Sequence, residues 1–183
     1  DAQTASELLE AAQTARMGIP ATGEQVAIFT PETRAAALRK LAVESGLRHA
    51  AARGELSLSY QLQADLTTGE IAGAQVIMNW TSQALGSVPG HEFVPIALQT
   101  GLIVMLGDWK REVVCQQLRA WQEAGLRVPR LCLRMSQLEL QQPDMVDKLR
   151  QSLLANGLQA QALGIEISEQ ALFNASPELV QTL

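Results

Sequence analysis

The stretch that decides the fold is residues 71–80, which read IAGAQVIMNW. Apolar residues and glycine fill it, apart from the polar side chains of Gln75 and Asn79, and a turn is expected at Thr81. A short apolar run of this kind predicts a largely buried strand. Because successive side chains of a strand point to opposite faces, Gln75, Ile77 and Asn79 should share one face of the sheet.

A second strand is predicted just before the first. Residues 56–65 read LSLSYQLQAD, in which apolar and polar residues alternate. This period of two is typical of a half-buried strand. Residues 67–70 (TTGE) supply a turn. The two segments therefore predict an antiparallel hairpin.

Downstream of the hairpin, helices and strands alternate. The predicted elements are a helix over 91–101, an amphipathic helix over 106–124, a strand over 129–135, a helix over 143–155, a strand over 163–168 and a helix from Pro177. This order predicts an α/β layer architecture in which the strands after the hairpin pair in parallel. Four strands do not close a barrel.

Upstream of the hairpin, a helix over 1–18 and a short strand over 25–29 are predicted. Thr30 followed by Pro31 is a strong helix start, because threonine caps free N–H groups and proline fits the first helical position. That helix is expected to run over 31–53 and to end at Gly54, with a bend at Gly46.

Composition narrows the classes of function. The chain has 183 residues, a net charge of −5 and no basic tract, which argues against nucleic-acid binding. No apolar run reaches the ~20 residues needed to span a membrane. Cys115 and Cys132 lack the spacing of a metal or redox motif and are expected to be reduced, packed thiols, which suits the cytoplasm.

From about residue 47 to about residue 172, these motifs resemble the first half of an EAL domain, the fold of bacterial cyclic-di-GMP phosphodiesterases. Residues 75–77 (QVI) stand where the family has Glu-Ala-Leu, and residues 165–169 (IEISE) resemble its fourth strand. The resemblance implies an α/β fold that is the first half of a modified TIM barrel with an antiparallel first strand. Residues 1–30 resemble the tail of a GGDEF domain, 31–53 its connecting helix, and 54–183 the EAL portion.

The resemblance also implies a vestigial ligand site from which functional charges have been lost. Gln75 replaces a metal-binding Glu, Asn79 replaces a phosphate-binding Arg, and Arg134 replaces a metal-binding Asn. Glu166 is the one visible metal ligand that is retained, Glu169 matches the second acid of its motif, Gln61 matches a ligand-facing Gln, and Ile77 matches the Leu of the triplet.

No metal is expected at this site, although the family uses magnesium or manganese. A guanidinium about 4 Å from a divalent ion would be repelled by roughly 8 kcal/mol at an effective dielectric constant near 20. Hydrolysis with two metal ions requires those ions to polarise the phosphate and generate hydroxide. Glu166 is instead expected to pair with Arg134 on the adjacent strand.

The sequence therefore predicts a catalytically inactive, EAL-like regulatory domain of a bacterial GGDEF–EAL protein. It is expected to act through a protein partner or self-association, in the cytoplasm or as part of a membrane-anchored protein. A non-hydrolysing cyclic-di-GMP receptor is the alternative, disfavoured by the loss of the phosphate-binding Arg at Asn79 and left open by Gln61 and Arg134. An active phosphodiesterase is a third. Half a barrel is further expected to leave apolar strand faces uncovered, which would favour self-association.

Overall fold

A computed structural model describes residues 30–126 and 130–169, together with a few isolated positions, namely Thr4, Ser6, Glu7, Leu9, Ala12, Gln13 and Ala171. The elements are α1 (Pro31–Ala50), β1 (Leu56–Ala64), β2 (Ile71–Ser82), β3 (Gly86–Val88), α2 (Gly90–Thr100), α3 (Leu102–Glu123), β4 (Arg130–Met135), α4 (Gln137–Leu140), α5 (Met145–Ala155), a 3₁₀ turn (Ala160–Ala162) and β5 (Leu163–Ile167). The strand predicted over 25–29, the helix predicted from Pro177 and most of the helix predicted over 1–18 lie outside the described residues.

The described strands form one mixed sheet in the order β1-β2-β4-β5, with β3 paired to β2. β1 and β2 are antiparallel, and Gln61 lies opposite Gln75. β2 pairs with β4, and β4 with β5, in parallel. The predicted hairpin followed by parallel strands is confirmed, and it brings the carboxyl ends of β2, β4 and β5 to one edge of the sheet.

The helix α1 begins as predicted. The Thr30 hydroxyl accepts a hydrogen bond from the Thr33 amide, and the Thr33 hydroxyl accepts one from the Thr30 amide, so the two residues form a capping box. The helix ends at Ala50, three residues earlier than predicted, and a turn follows to Gly54, whose φ is +66°. Glycine adopts this left-handed conformation without steric cost.

The interruption predicted at Gly46 is wrong, because α1 is continuous through that residue. Gly46 instead lies against the fully buried indole of Trp80, and a Cβ at this position would lie 3.1 Å from Cζ2 of the indole. The glycine thus permits close packing of α1 on the sheet and does not act as a hinge.

We therefore expect Gly46→Val to lower the free energy of unfolding by about 1–3 kcal/mol, because the added carbons overlap a rigid ring. Gly46→Ala should change it by less than about 1 kcal/mol, since the gain in helix propensity offsets the tight contact. Urea denaturation measures both effects. The neighbouring exposed Ser45 gives the control: Ser45→Val should shift stability by less than about 0.5 kcal/mol. Equal losses at the two positions would contradict the packing role.

Two apolar clusters hold the helices against one face of the sheet. In the first, Trp80 and Phe93 meet edge to face at 5.9 Å, beneath α1 and α2. In the second, Val114 and Leu118 of α3 pack on Leu131 and other residues of the central strands. The helices cover the face of the sheet that carries the apolar side chains of β1 and β2, which alternate in sequence with the polar ones.

Some elements differ from their predicted extents. The amphipathic helix α3 starts at Leu102 and not at residue 106, because Gly101 ends α2 in a left-handed conformation and α3 follows directly. The short elements β3 and α4 were not predicted, and α5 begins at Met145 rather than at Pro143.

Both cysteines are buried and free, as predicted, and burial raises the pKa of the Cys115 thiol to about 11. Within the described ranges, no single helix is long and apolar enough to cross a membrane. Only α2 and α3 taken together reach such a composition, across a bend of 117°.

Candidate functional site

The face of the sheet opposite the helices is polar. It carries side chains of β1, β2, β4 and β5 that alternate with the buried apolar ones, namely Ser57, Ser59, Gln61, Gln63, Gln75, Ile77, Asn79, Arg130, Cys132, Arg134 and Glu166. Apart from Ile77, which is 38% exposed, the large side chains on this face are mostly polar, because period-two alternation sends the polar half of each strand to the side that no described helix covers. Exposed apolar strand surface, as expected, is found on the other face, where Leu62 and Ile165 are 63% and 39% exposed. Self-association through such surface stays a prediction.

Glu166, on the edge strand β5, is the acidic group on which the glutamines of this face converge. One oxygen of its carboxylate accepts a hydrogen bond from the Gln75 amide at 2.5 Å, and the other accepts one from the Gln63 amide at 2.8 Å. Both oxygens are thus occupied by neutral donors. Gln63 on β1 reaches β5 past Gly73, its partner on β2, which adds no side chain to this face. A contact from the first strand to the last requires the sheet to curve, as the strands of a barrel do.

The predicted pairing of Arg134 with Glu166 is half right. The two residues are neighbours in the parallel register of β4 and β5, as expected. The structure nevertheless shows no ion pair between them, and the Glu166 carboxylate accepts hydrogen bonds from the amides of Gln63 and Gln75 instead. The Arg134 side chain is exposed and lines a cleft beyond the strand ends.

The other predicted site residues lie around Glu166. Gln61 is exposed opposite Gln75, and Ile77 is 38% exposed on the same face. The Asn79 amide donates to the Ser59 hydroxyl at 2.9 Å. Glu169 is exposed just beyond β5. The sheet therefore brings Gln61, Gln75 and Ile77 to the polar face with Glu166. Glu169 lies beyond the carboxyl end of β5 and is not on this face of the sheet.

The donor set on this face does not fit a divalent metal. Hard divalent cations such as magnesium take carboxylate and carbonyl oxygens as ligands. Here the single carboxylate on this face accepts from the amide nitrogens of Gln75 and Gln63, so amide donors stand where a metal would need further oxygen ligands. Among the residues that the structure describes, no group of three or more His, Cys, Asp or Glu side chains is placed to hold a metal ion.

A cleft of about 600 Å³ lies beside residues 75–78 of β2 and at the carboxyl end of β4. Its walls include Gln75, Ile77 and Arg134 from the sheet and His91 from the start of α2, with Lys110 of α3 at its floor. Clefts of roughly 300–1,000 Å³ are the usual size for small-molecule sites. The position matches the end of a barrel at which chemistry and binding are normally found.

Two buried charged residues beneath the cleft were not predicted. The Lys110 ammonium donates to the Arg134 carbonyl oxygen at 2.7 Å and lies 3.8 Å from the Glu139 carboxylate. The other Glu139 oxygen accepts hydrogen bonds from the amide and hydroxyl of Ser136 and so caps α4. Burial lowers the pKa of Lys110, and the nearby Glu139 opposes that change. The pair fixes the end of β4, from which Arg134 projects.

Gln63 was also missed, although a signal for it was present. The alternation of β1 places Gln63 on the same face as Gln61, one step closer to the start of β2. Lys110 gave no comparable signal, because a charged residue on an amphipathic helix usually faces solvent. Glu139 gave none either, because the short helix α4 that carries it was not predicted.

Comparison with known proteins places the chain in a family. The sequence model of the EAL domain family matches residues 44–183 of this chain. The bifunctional diguanylate cyclase/cyclic di-GMP phosphodiesterase MucR of Pseudomonas aeruginosa is 30% identical over 182 residues, which are 98% of this chain and 27% of MucR. The oxygen sensor protein DosP of Escherichia coli is 26% identical over 155 residues, which are 85% of this chain and 19% of DosP. The chain thus spans about a quarter or less of these relatives.

Solved structures agree with the fold. The structure of the MucR phosphodiesterase in complex with c-di-GMP superposes with a TM-score of 0.72 at 27% identity, covering 78% of this chain and 57% of that one. The EAL domain of FimX from Xanthomonas citri, also in complex with c-diGMP, gives a TM-score of 0.67 at 23% identity, covering 76% and 54%. The mixed sheet, its antiparallel first strand and the match over residues 44–183 establish that this chain belongs to the EAL domain family.

Proposed function

We propose that this chain is a non-hydrolysing EAL domain that serves a regulatory role in cyclic-di-GMP signalling. The observation that carries the proposal is the hydrogen bond from the Gln75 amide to the Glu166 carboxylate. Two carboxylates at these positions would repel each other unless a cation lay between them. An amide and a carboxylate are complementary, so this pair is stable without a metal.

The loss of metal removes the basis of the reaction. Divalent ions in such sites polarise the phosphate and supply the nucleophilic hydroxide. The positive charge of Arg134 on the adjacent strand further disfavours a cation, and Asn79 offers an amide where the family resemblance implies a phosphate-binding guanidinium. Each of these changes acts against hydrolysis while leaving the apolar packing of the domain intact.

Regulation would then pass through surfaces, with α1 as the connection to a preceding GGDEF-like segment over residues 1–30. The carboxyl half of α1 packs into the core through Val43 and Leu47, and Arg39 makes a bidentate ion pair with Glu92 at the start of α2. Leu38 and Leu41 are 58% and 51% exposed. These leucines favour contact with a protein partner or a second copy. A bacterial cytoplasmic location, alone or within a membrane-anchored protein, is part of the same proposal.

The full-length protein should not hydrolyse cyclic-di-GMP in magnesium or manganese, as measured by chromatography of the products. Gln75→Glu alone should not restore turnover, because Arg134 and Asn79 remain. The MucR phosphodiesterase serves as the positive control. Metal-dependent turnover that Glu166→Ala abolishes would refute the proposal.

A second candidate function is a receptor that binds cyclic-di-GMP without hydrolysing it. The cleft of about 600 Å³ beside Arg134 favours it, because its size and charge suit an anionic nucleotide. MucR and FimX carry this ligand in their structures.

A further inference from the structure

We propose that the ion pair between Arg39 and Glu92 is a latch that holds the first turn of α2 against α1, so that a displacement of α1 is transmitted to the wall of the cleft. The pair joins the helix that leads into the domain to a helix that borders the cleft. The inference rests on the proposed regulatory function and deepens it, because it names the contact through which α1 would control the shape of the cleft.

The helix α2 lies between α1 and the cleft. One face of α2 borders the cleft, through residues at the spacing of three and four that places side chains together on a helix. These residues are Gly90, His91, Val94, Pro95 and Leu98. The buried face of α2 belongs to the same apolar cluster as Val43 and Leu47 of α1, through Phe93, Ile96 and Ala97. A change in the position of α2 therefore changes the cleft directly.

The helix α1 is suited to transmit movement, because its 20 residues form one uninterrupted helix about 30 Å long. The face of α1 that points into the domain begins at Arg39 and continues through the fully buried residues Val43, Leu47 and Ala50. None of the residues 31–38 is buried. Arg39 thus lies where the projecting half of α1 meets the packed half.

The first turn of α2 is held weakly by its own backbone. Its N-cap residue is Pro89, which makes no side-chain hydrogen bond to the free amides of that turn. Pro95 lies inside the helix and lacks the N–H that an interior residue donates to the carbonyl oxygen four positions earlier, here that of His91. This turn therefore depends on side-chain contacts to keep its position.

The geometry of the ion pair suits a contact that orients the turn and can still open. Nε of Arg39 donates to Oε1 of Glu92 at 2.7 Å, and Nη2 donates to Oε2 at 3.1 Å. Two parallel hydrogen bonds fix orientation as well as distance. The hydrogen bond from the Arg39 guanidinium holds the pKa of Glu92 below its ordinary value, so the carboxylate is charged at neutral pH. The side chains of Arg39 and Glu92 are 40% and 26% exposed, so the pair can separate without unfolding the core.

The first test is hydrogen–deuterium exchange of the full-length protein, measured on peptides by mass spectrometry. Arg39→Gln should raise the exchange rate of peptides from α2 about two- to fivefold, as expected for the loss of a partly exposed ion pair. Glu92→Gln should also raise it. The two substitutions together should have no more effect than Glu92→Gln alone, because the pair is already broken. Peptides from α3 and α5 should exchange at the wild-type rate.

The matched control is Arg48→Gln. Arg48 pairs with Glu44 at 2.6 Å, and both residues lie on α1. Their side chains are 51% and 26% exposed, close to the values for Arg39 and Glu92. Loss of this pair should leave exchange in α2 unchanged, because it does not join two elements.

The second test measures transmission to the cleft. Leu98→Cys places a thiol on the α2 wall of the cleft, at a side chain that is 38% exposed. Cys115 and Cys132 are buried, so the thiol reagent DTNB should report on the new cysteine when compared with the parent protein. Adding Arg39→Gln should raise its rate of reaction at least about twofold, and adding Arg48→Gln should not.

Three results would overturn the latch. They are unchanged exchange in α2 of Arg39→Gln, additive effects of the two substitutions, and an equal rate of Leu98→Cys modification with and without Arg39→Gln. An increase in exchange spread evenly over all elements would also overturn it, because that pattern reports a loss of global stability. None of these results bears on hydrolysis. Metal-dependent turnover of cyclic-di-GMP would overturn the proposed function, whatever the exchange rates are.

Discussion

Replacing Lys110 by methionine should lower the free energy of unfolding by about 3–5 kcal/mol, the usual cost of breaking a buried ion pair from one side. The side chains of Lys110 and Glu139 are only 10% and 6% exposed. Methionine keeps the apolar stem but leaves the Glu139 carboxylate without its counter-charge. It also leaves the carbonyl oxygen of Arg134 without the donor that now lies at 2.7 Å.

A double variant distinguishes loss of charge pairing from loss of packing. In Lys110→Met/Glu139→Gln the new side-chain carbonyl oxygen can still accept from the Ser136 amide, so the double variant should regain about 1–3 kcal/mol relative to Lys110→Met. The control is Lys148→Met: Lys148 pairs with Asp108 and Asp144 but is one-third exposed, so its loss should cost less than about 1 kcal/mol. Urea denaturation at pH 7 gives all these values. Losses of the same size at Lys110 and Lys148 would contradict the argument from burial.

The Lys110→Met variant should also change how the free energy of unfolding depends on pH. Burial lowers the pKa of Lys110 in the folded protein below its ordinary value of 10.5. Between those two pKa values the unfolded chain binds more protons, so this group makes stability rise with pH across that interval. Lys110→Met should lack that rise when compared with the wild type.

The sequence predicted those features of the site that depend on strand period. Gln75 and Ile77 lie on one face because side chains alternate along a strand, which is a local rule. The hairpin follows from the same alternation and a turn, and the parallel strands after it follow from the order of helices and strands. That Arg134 neighbours Glu166 was predicted from the family resemblance and is confirmed by the register of β4 and β5.

The partners of the charged groups were not predictable. Glu166 is held by Gln63, which lies 103 residues away in the chain and at the opposite end of the sheet order. That contact depends on the curvature of the sheet and on the missing side chain of Gly73, where a Cβ would lie 3.2 Å from the Gln63 side chain. Gly46 was misjudged for a related reason, because a glycine that permits a close approach and a glycine that permits a bend look alike in sequence. The burial of Lys110 likewise depends on where α3 crosses the sheet.

Trp80→Ala should cost about 3–5 kcal/mol, the range for removal of a large buried ring. The indole is 1% exposed, packs edge to face on Phe93 and lies against Gly46 of α1. Its Nε1 donates to the buried Glu55 carboxylate at 3.0 Å. The residue therefore joins the end of β2, two helices and the start of β1. We expect cooperative unfolding in urea to shift to lower concentrations of denaturant.

Trp80→Phe isolates the polar part of this contact. The indole N–H is the largest of the causes that hold the pKa of Glu55 below its ordinary value of 4.5, followed by the Gln83 amide. A carboxyl group with a lowered pKa stabilises the fold above that ordinary value, and the stabilisation is lost as the pH falls through the folded pKa. Below pH 4.5, stability should therefore fall less steeply in Trp80→Phe than in the wild type. Trp121→Phe, which alters an indole packed at 5.0 Å on Tyr60, should lower stability without changing that slope. Identical acid slopes for the wild type and Trp80→Phe would mean that the hydrogen bond to Glu55 contributes nothing to stability, and that Trp80 acts through packing alone.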